Sequence, residues 1–99
     1  MKLSDAQTKF LRGRGHKLKP VVVVGDAGLS ASLLSEFSST IDHHELIKVR
    51  VRAGDRETRD AIIETLCKSQ SAALVTRIGN VALVYRPNPD KPKIMLPVR

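Results

Sequence analysis

Two glycines three residues apart, Gly25 and Gly28, stand between a run of four valines and a serine, Ser30. Glycine has no side chain and tolerates positive φ, so a Gly-x-x-Gly loop lets another backbone come close. Ser30 is a typical N-cap, and a helix beginning there would point its free N–H groups and positive dipole end toward the loop. Such a unit can bind an anion or a sugar-phosphate backbone. A glycine turn with a purely structural role is the alternative.

Two sets of cationic residues accompany this loop. The first set, on its N-terminal side, comprises Arg12, Arg14, His16, Lys17 and Lys19. The second set lies in a predicted strand over 45–52, where alternate side chains share one face: Lys48, Arg50 and Arg52. A solvated sheet face is the alternative for this row. If the two sets converge, they form a phosphate-binding stripe with the loop residues Gly25, Asp26, Ala27 and Gly28.

The composition favours a polyanionic partner. Among 99 residues, 17 Lys and Arg stand against 10 Asp and Glu, which gives a net charge of +7. The partner would be nucleic acid or an anionic membrane surface. Only 3% of the residues are aromatic, so recognition of a nucleic acid by backbone and shape is favoured over base stacking. The chain has neither a long apolar run nor a signal-peptide pattern, so we expect a cytoplasmic protein that is not bound to a membrane.

No motif for catalysis or cofactor binding is present. The loop lacks the Lys-Ser/Thr ending of a Walker sequence and the first glycine of a dinucleotide-binding pattern. His43 and His44 are adjacent, so their side chains should diverge rather than share a metal, and Cys67 has no second thiol for a zinc site. Cys67 is predicted to be a small buried residue. We therefore expect no enzyme, no metal and no cofactor.

Hydrophobic periodicity predicts the elements around these residues. A helix over 4–13 should begin with a capping box of Ser4 and Gln7 and stop at Gly13 and Gly15. The valine run 21–24 reads as a strand buried on both faces, followed by a helix over 30–41. A third helix over 56–69, capped by Asp55, follows the cationic strand.

A hairpin and a tail complete the chain. Strands over 73–78 and 81–86 flank Gly79-Asn80, a type II′ turn that places residue 78 opposite residue 81. Alternation predicts a core face with Leu74, Thr76, Ile78, Val81, Leu83 and Tyr85. The other face would have an apolar centre and carry Val75, Arg77, Ala82, Val84 and Arg86. The tail 87–99 should be extended and held by Ile94, Met95 and Leu96.

The predicted order is a helix followed by β-α-β-α-β-β. This order indicates one domain over 1–99, an α/β two-layer sandwich with a four-stranded mixed sheet.

In this order the pieces resemble the CRM domain (chloroplast RNA splicing and ribosome maturation) in its single-domain bacterial YhbY-like form. The resemblance rests on Phe10-Leu11-Arg12-Gly13, His16-Lys17-Leu18-Lys19-Pro20, Val24-Gly25-Asp26-Ala27-Gly28-Leu29, His44-Glu45-Leu46-Ile47-Lys48-Val49, Ile78-Gly79 and Tyr85-Arg86-Pro87. It implies a fold similar to the C-terminal domain of translation initiation factor three. It also implies RNA binding through the Gly-x-x-Gly loop and association with precursor large-subunit ribosomal RNA during ribosome assembly.

The loop departs from the family pattern at its two central positions. Asp26 and Ala27 stand where the family usually has a basic and a polar residue. A carboxylate there should repel phosphate, which shifts the expected binding toward the flanking cations. A monomeric RNA-binding protein is the leading hypothesis. An Alba-like dimer that coats DNA or RNA is the alternative, because its size, charge and element order are similar.

Overall fold

The computed structural model describes residues 2–98, in which three helices and a four-stranded sheet occur. The helices are α1 (Asp5–Gly15), α2 (Ala31–His44) and α3 (Arg56–Gln70). The strands are β1 (Pro20–Val24), β2 (Leu46–Val51), β3 (Ala73–Ile78) and β4 (Val81–Tyr85). The strand order is β1-β2-β4-β3, with β1 parallel to β2 and the other pairs antiparallel. The predicted α/β arrangement with a mixed sheet is confirmed.

The predicted helix starts are all present as side-chain caps. The Ser4 hydroxyl accepts a hydrogen bond from the Gln7 N–H at 3.1 Å, and the Gln7 side chain accepts one from the Ser4 N–H at 3.0 Å, which completes the capping box. Ser30 accepts from the Leu33 N–H, and Asp55 accepts from the Thr58 N–H. The hairpin also has its predicted register, with Ile78 opposite Val81 and a positive φ of 61° at Gly79.

Each face of the sheet has its own apolar cluster. Helices α2 and α3 pack on one face, where Phe37, Ile41, Val49 and Val84 are fully buried. Helix α1 packs on the opposite face over Leu46, Val75, Leu83 and Tyr85, with Leu11 at the centre of the contact. Because α1 reaches only part of that face, the remainder stays open.

Strand β1 is an edge strand, which corrects the prediction that it is buried on both faces. Val22 and Val24 are fully buried against α2, whereas Val21 and Val23 are 50% and 44% exposed. A short run of β-branched residues fits a central strand and an edge strand equally well when one face is left uncovered. The valines therefore indicate a strand but not its place in the sheet.

A bulge in β3 corrects the predicted hairpin faces. The register shifts between Leu74 and Thr76, so Val75 is an extra residue in this strand. Val75 is buried with Leu83 and Tyr85 beneath α1, and Leu74 pairs with Val84 and is exposed. The two residues thus exchange their predicted faces, because strict alternation fails at a bulge. Ile78, which was also predicted on the core face, is 77% exposed.

Helix α1 continues through Gly13 and ends at Gly15, the second of the two glycines that were predicted to stop it. A methyl group added at Gly15 would lie 2.5 Å from one δ-carbon of Leu83 and 2.7 Å from the other, whereas nothing lies within 4 Å of one added at Gly13. Gly15 therefore lets the end of α1 approach the sheet closely, and Gly13 has no such role.

We expect Gly13→Ala and Gly15→Ala to change stability in opposite directions. Alanine favours a helix over glycine by about 1 kcal/mol, so Gly13→Ala should raise the free energy of unfolding by about 0.5–1 kcal/mol. At Gly15 the clash with buried Leu83 costs about 1–3 kcal/mol and outweighs that gain. Urea denaturation of the two variants measures the difference, and equal effects would contradict close packing at Gly15.

The tail folds back on the body around one buried carboxylate. Glu45 has no exposed surface, and its carboxylate accepts hydrogen bonds from the backbone N–H groups of Asn88 (2.6 Å), Lys93 (2.7 Å) and Ile94 (2.8 Å). Ile94 is buried and Leu96 packs beside it, as predicted. Met95 is 83% exposed, so its predicted contact with the body is wrong.

Candidate nucleic-acid interface

The Gly25–Gly28 loop presents bare main chain to the outside. The Gly28 N–H donates to the Gly25 carbonyl at 3.0 Å, which closes a tight turn, and Gly28 has a φ of +67°. A methyl group added at either glycine would meet no atom within 4 Å. The space beside both glycines is therefore open, and a sugar-phosphate strand can reach the backbone there.

The loop leads into a helix N-terminus that attracts anions. Ser30 caps α2, and the first turn of this helix contains no acidic residue. Its free N–H groups therefore keep their positive potential. Asp26 is exposed, and its carboxylate accepts no hydrogen bond within the part of the chain that the structure describes. Its charge is thus uncompensated within residues 2–98, and it lies between the two open glycines of the loop.

The cationic row of β2 ends beside this loop. Strands β1 and β2 run in parallel, and Val23 is the register partner of Arg50. The Arg52 N–H donates to the Val24 carbonyl at 2.9 Å, immediately before Gly25. Because residues of a strand rise about 3.3 Å each, Lys48 lies about 13 Å from Arg52 along this row. The row thus runs along the sheet toward the loop.

The first cationic set lies at the other end of β1. Lys19 directly precedes Pro20, so the whole five-residue strand, about 17 Å, separates it from Gly25. The predicted approach of this set to the loop is therefore wrong. Two members of the set, His16 and Lys19, meet the β2 row instead. Lys48 Nζ lies 3.4 Å from the His16 carbonyl, and Lys19 lines the same groove as Lys48 and Arg50.

Arg14 lies apart from this row. Its guanidinium lies over the Phe10 ring at 5.9 Å, and its side chain lines a groove with His43, His44 and Lys93. That groove lies at the C-terminal end of α2, whose 14 residues span about 20 Å from the capped end next to the loop. Arg12 and Lys17 are both exposed near the end of α1.

The uncovered part of the sheet carries these cations on an apolar surface. Strand register arranges its side chains in two rows that cross the sheet. The first row is Val23, Arg50, Val81 and Ile78, and the second row, nearer α1, is Pro20, Lys48, Leu83 and Thr76. We call the accessible part of these rows the open sheet face: Val23, Lys48, Arg50, Thr76, Ile78 and Val81. A groove of about 290 Å³ runs over it, bordered by Leu18 and Lys19.

The open sheet face is cationic without compensation. Within residues 2–98, the ion pairs of Lys and Arg are Arg56–Asp60, Lys68–Glu64, Arg77–Asp60 and Arg86–Asp42. No predicted site cation is among them, and no acidic side chain lines the groove. Arg77 and Arg86 are instead structural, and Arg86 also bonds to the Ser38 and Gln70 carbonyls, which ties α2, α3 and β4 together.

A second groove, between α3 and β3, has a different character. It measures about 670 Å³, but Asp60 and Glu64 balance Lys68 and Arg77 along it. Cys67 on its wall is buried as predicted, and burial raises the pKa of its thiol to about 11, so it is a poor nucleophile at neutral pH. This groove therefore has no net attraction for a polyanion.

Within residues 2–98, the remaining chemistry-bearing side chains are not arranged as a metal site. The rings of His43 and His44 meet edge to face with centroids 4.7 Å apart, which corrects the prediction that they diverge. The described part of the chain contains no group of three or more His, Cys, Asp or Glu side chains placed to hold a metal ion. Among residues 2–98, no helix combines the length and apolar character needed to cross a bilayer.

Comparison with known proteins places this chain in a family. A model of the CRS1/YhbY (CRM) domain matches residues 3–86. An RNA-binding protein of Haemophilus influenzae is 44% identical over 95 residues, which cover 96% of this chain and 95% of that protein. A protein of Pseudomonas aeruginosa described as a probable RNA-binding protein is 41% identical over 93 residues, covering 94% of this chain and 89% of its own.

A solved structure has the same architecture. The solution structure of a Staphylococcus aureus protein superposes with a TM-score of 0.83 at 28% identity, over 97% of this chain and 100% of that one. The fold, the family model and the relatives agree with the resemblance found in the sequence. The chain belongs to the CRS1/YhbY (CRM) domain family.

Proposed function

We propose that this chain is a non-enzymatic RNA-binding protein. Its RNA would run along the open sheet face and pass the Gly25–Gly28 loop. The observation that carries the proposal is the row from Lys48 to Arg52, which has no acidic partner within residues 2–98 and ends beside bare main chain and a helix N-terminus. Two relatives with RNA-binding names, which the chain matches over nearly its whole length, support RNA as the polyanion.

We further propose that the RNA is precursor large-subunit ribosomal RNA, held during ribosome assembly by one domain spanning 1–99. The support is the family membership together with a net charge of +7 and few aromatic residues. A structured RNA offers closely spaced phosphates that such a surface can follow without reading a long sequence. Sedimentation of a cell lysate tests this step: the protein should travel with precursor large subunits, and its absence from them would contradict a role in assembly.

Salt dependence tests RNA binding itself. Contact with about six phosphates should lower the affinity by about a thousandfold between 50 and 200 mM salt. Fluorescence anisotropy with a structured ribosomal RNA fragment and with duplex DNA of equal length provides the measurement. Preference for the RNA by a monomer in analytical ultracentrifugation is the expected result, whereas a dimer that prefers duplex DNA would favour the Alba-like alternative.

Asp26→Lys should strengthen RNA binding. It replaces an uncompensated negative charge beside the open glycines by a positive one, so we expect about tenfold higher affinity at 0.1 M salt. The slope of log affinity against log salt concentration (the salt slope) should be steeper by about one. Asp90→Lys, in the exposed part of the tail, makes the same change in net charge and is the control. Equal effects of the two variants would show that the loop does not contact RNA.

A further inference from the structure

We infer that the open sheet face binds unpaired nucleotides, with bases on its aliphatic side chains and phosphates on Lys48 and Arg50. The inference rests on the proposed RNA-binding function and specifies the kind of RNA. It predicts that a single-stranded segment binds this face better than a fully paired duplex does.

The apolar character of this face is as marked as its charge. Val23 and Ile78 are 44% and 77% exposed, and Val81 is half-buried between them in the same row as Arg50. A surface for phosphates alone has no need of exposed aliphatic side chains, because ionic groups gain nothing from contact with them. A ligand that is apolar and anionic at alternating points fits both features, and a nucleotide chain is such a ligand.

The dimensions of the face fit one or two nucleotides. Its strands are about 4.8 Å apart, so the first row extends about 14 Å across the sheet, and the two rows are about 7 Å apart. The end of α1 closes the inner side, where Gly15 lies against Leu83. A paired helix has its base faces stacked inside and offers sugar and phosphate to a protein surface. It would leave the aliphatic side chains of this face without contact.

Base contact here differs from the stacking used by aromatic RNA-binding surfaces. Tyr85 and Phe37 are buried, and no aromatic side chain lines the groove. The bases would therefore lie on Val23, Val81 and Ile78, which remove apolar base area from water without selecting a particular base. Arg50, between Val23 and Val81, would hold the phosphate that joins successive nucleotides.

The double variant Val23→Thr/Ile78→Thr tests the apolar contact. Threonine keeps the β-branched shape and strand preference while replacing apolar surface by a hydroxyl. We expect it to lower affinity for a single-stranded RNA about five- to tenfold and to leave the salt slope unchanged. The matched control is Leu74→Thr/Met95→Thr. The Leu74 and Met95 side chains are 47% and 83% exposed but lie outside the open sheet face. The control should bind normally.

An RNA with abasic positions, combined with the protein variant, forms a double-mutant cycle that tests the same contact from the RNA side. Removal of bases should weaken binding to the unmodified protein by a similar factor and should weaken binding to Val23→Thr/Ile78→Thr no further. The inference is overturned if that variant binds like its control, or if a duplex binds as well as the single strand. Arg50→Gln separates this failure from failure of the proposed function. It should reduce the salt slope, and if it leaves binding of every RNA unchanged, the RNA-binding proposal itself is wrong.

Discussion

Reversal of two charges, Lys48→Glu/Arg50→Glu, should lower RNA affinity by about a hundredfold or more at 0.1 M salt and reduce the salt slope by about two. Both side chains lie at the centre of the open sheet face and have no acidic partner within residues 2–98. Their replacement by carboxylates removes two phosphate contacts and adds repulsion. Fluorescence anisotropy at several salt concentrations provides both values.

The control for this variant is Arg56→Glu/Lys68→Glu on α3. It makes the same change in net charge, and it breaks two exposed i,i+4 pairs that contribute little stability. Helix α3 packs on the opposite face of the sheet. We expect the control to keep most of its RNA affinity, losing only the share that depends on overall charge. If both variants lose affinity equally, net charge rather than the open sheet face determines binding.

Glu45→Gln should produce the largest loss of stability. The Glu45 carboxylate accepts three backbone hydrogen bonds from the tail, and bonds to a charged group contribute more than neutral ones. An amide has one oxygen to accept them, so at least one tail N–H would face an NH₂ group. We expect a loss of about 3 kcal/mol and a melting temperature lower by about 15 °C. Hydrogen exchange at Asn88, Lys93 and Ile94 should lose its protection.

The contribution of Glu45 should also depend on pH. Burial alone would raise the pKa of its carboxyl, but the three N–H donors and the Lys93 ammonium hold that pKa below its usual value. A lowered pKa means that the stabilisation is complete above the pKa of the unfolded chain, about 4.3, and is lost as pH falls through the lower folded value. The melting temperatures of the unmodified protein and of Glu45→Gln should therefore differ at pH 7 and converge toward pH 3.

Glu64→Gln is the matched substitution for this experiment. The Glu64 side chain is 71% exposed and pairs with Lys68 on the surface of α3. We expect its removal to change stability by less than about 0.5 kcal/mol at any pH. A similar loss in both variants, or a loss at Glu45 that persists at pH 3, would contradict the role of the buried carboxylate.

Local signals in the sequence predicted the element starts well. The capping box at Ser4, the caps at Ser30 and Asp55 and the turn at Gly79 each depend on residues within a few positions of one another. Such interactions do not depend on how distant parts of the chain fold. The order of these elements indicated the four-stranded mixed sheet, and the family resemblance added its likeness to the C-terminal domain of translation initiation factor three.

Features that depend on distant residues could not be predicted. Packing between elements distant in sequence determines three of these features: the exposed side of β1, the bulge at Val75 and the close approach of Gly15 to Leu83. Glu45 gave no signal, because one acidic residue at the end of a helix usually lies in solvent and its donors come from the tail. The cations before β1 were placed at the loop because they are near it in sequence, although a strand carries them to its opposite end.

During synthesis α1 emerges before the surface on which it packs exists. Leu11 needs Val75, Leu83 and Ile94, and the Gln7 side chain donates to the Pro97 carbonyl at 2.9 Å. A free helix of eleven residues is marginal in water, so α1 has to wait for the strands and tail translated after it. We therefore expect α1 to be the last helix to dock, after the strands and the tail as far as Pro97 have left the exit tunnel.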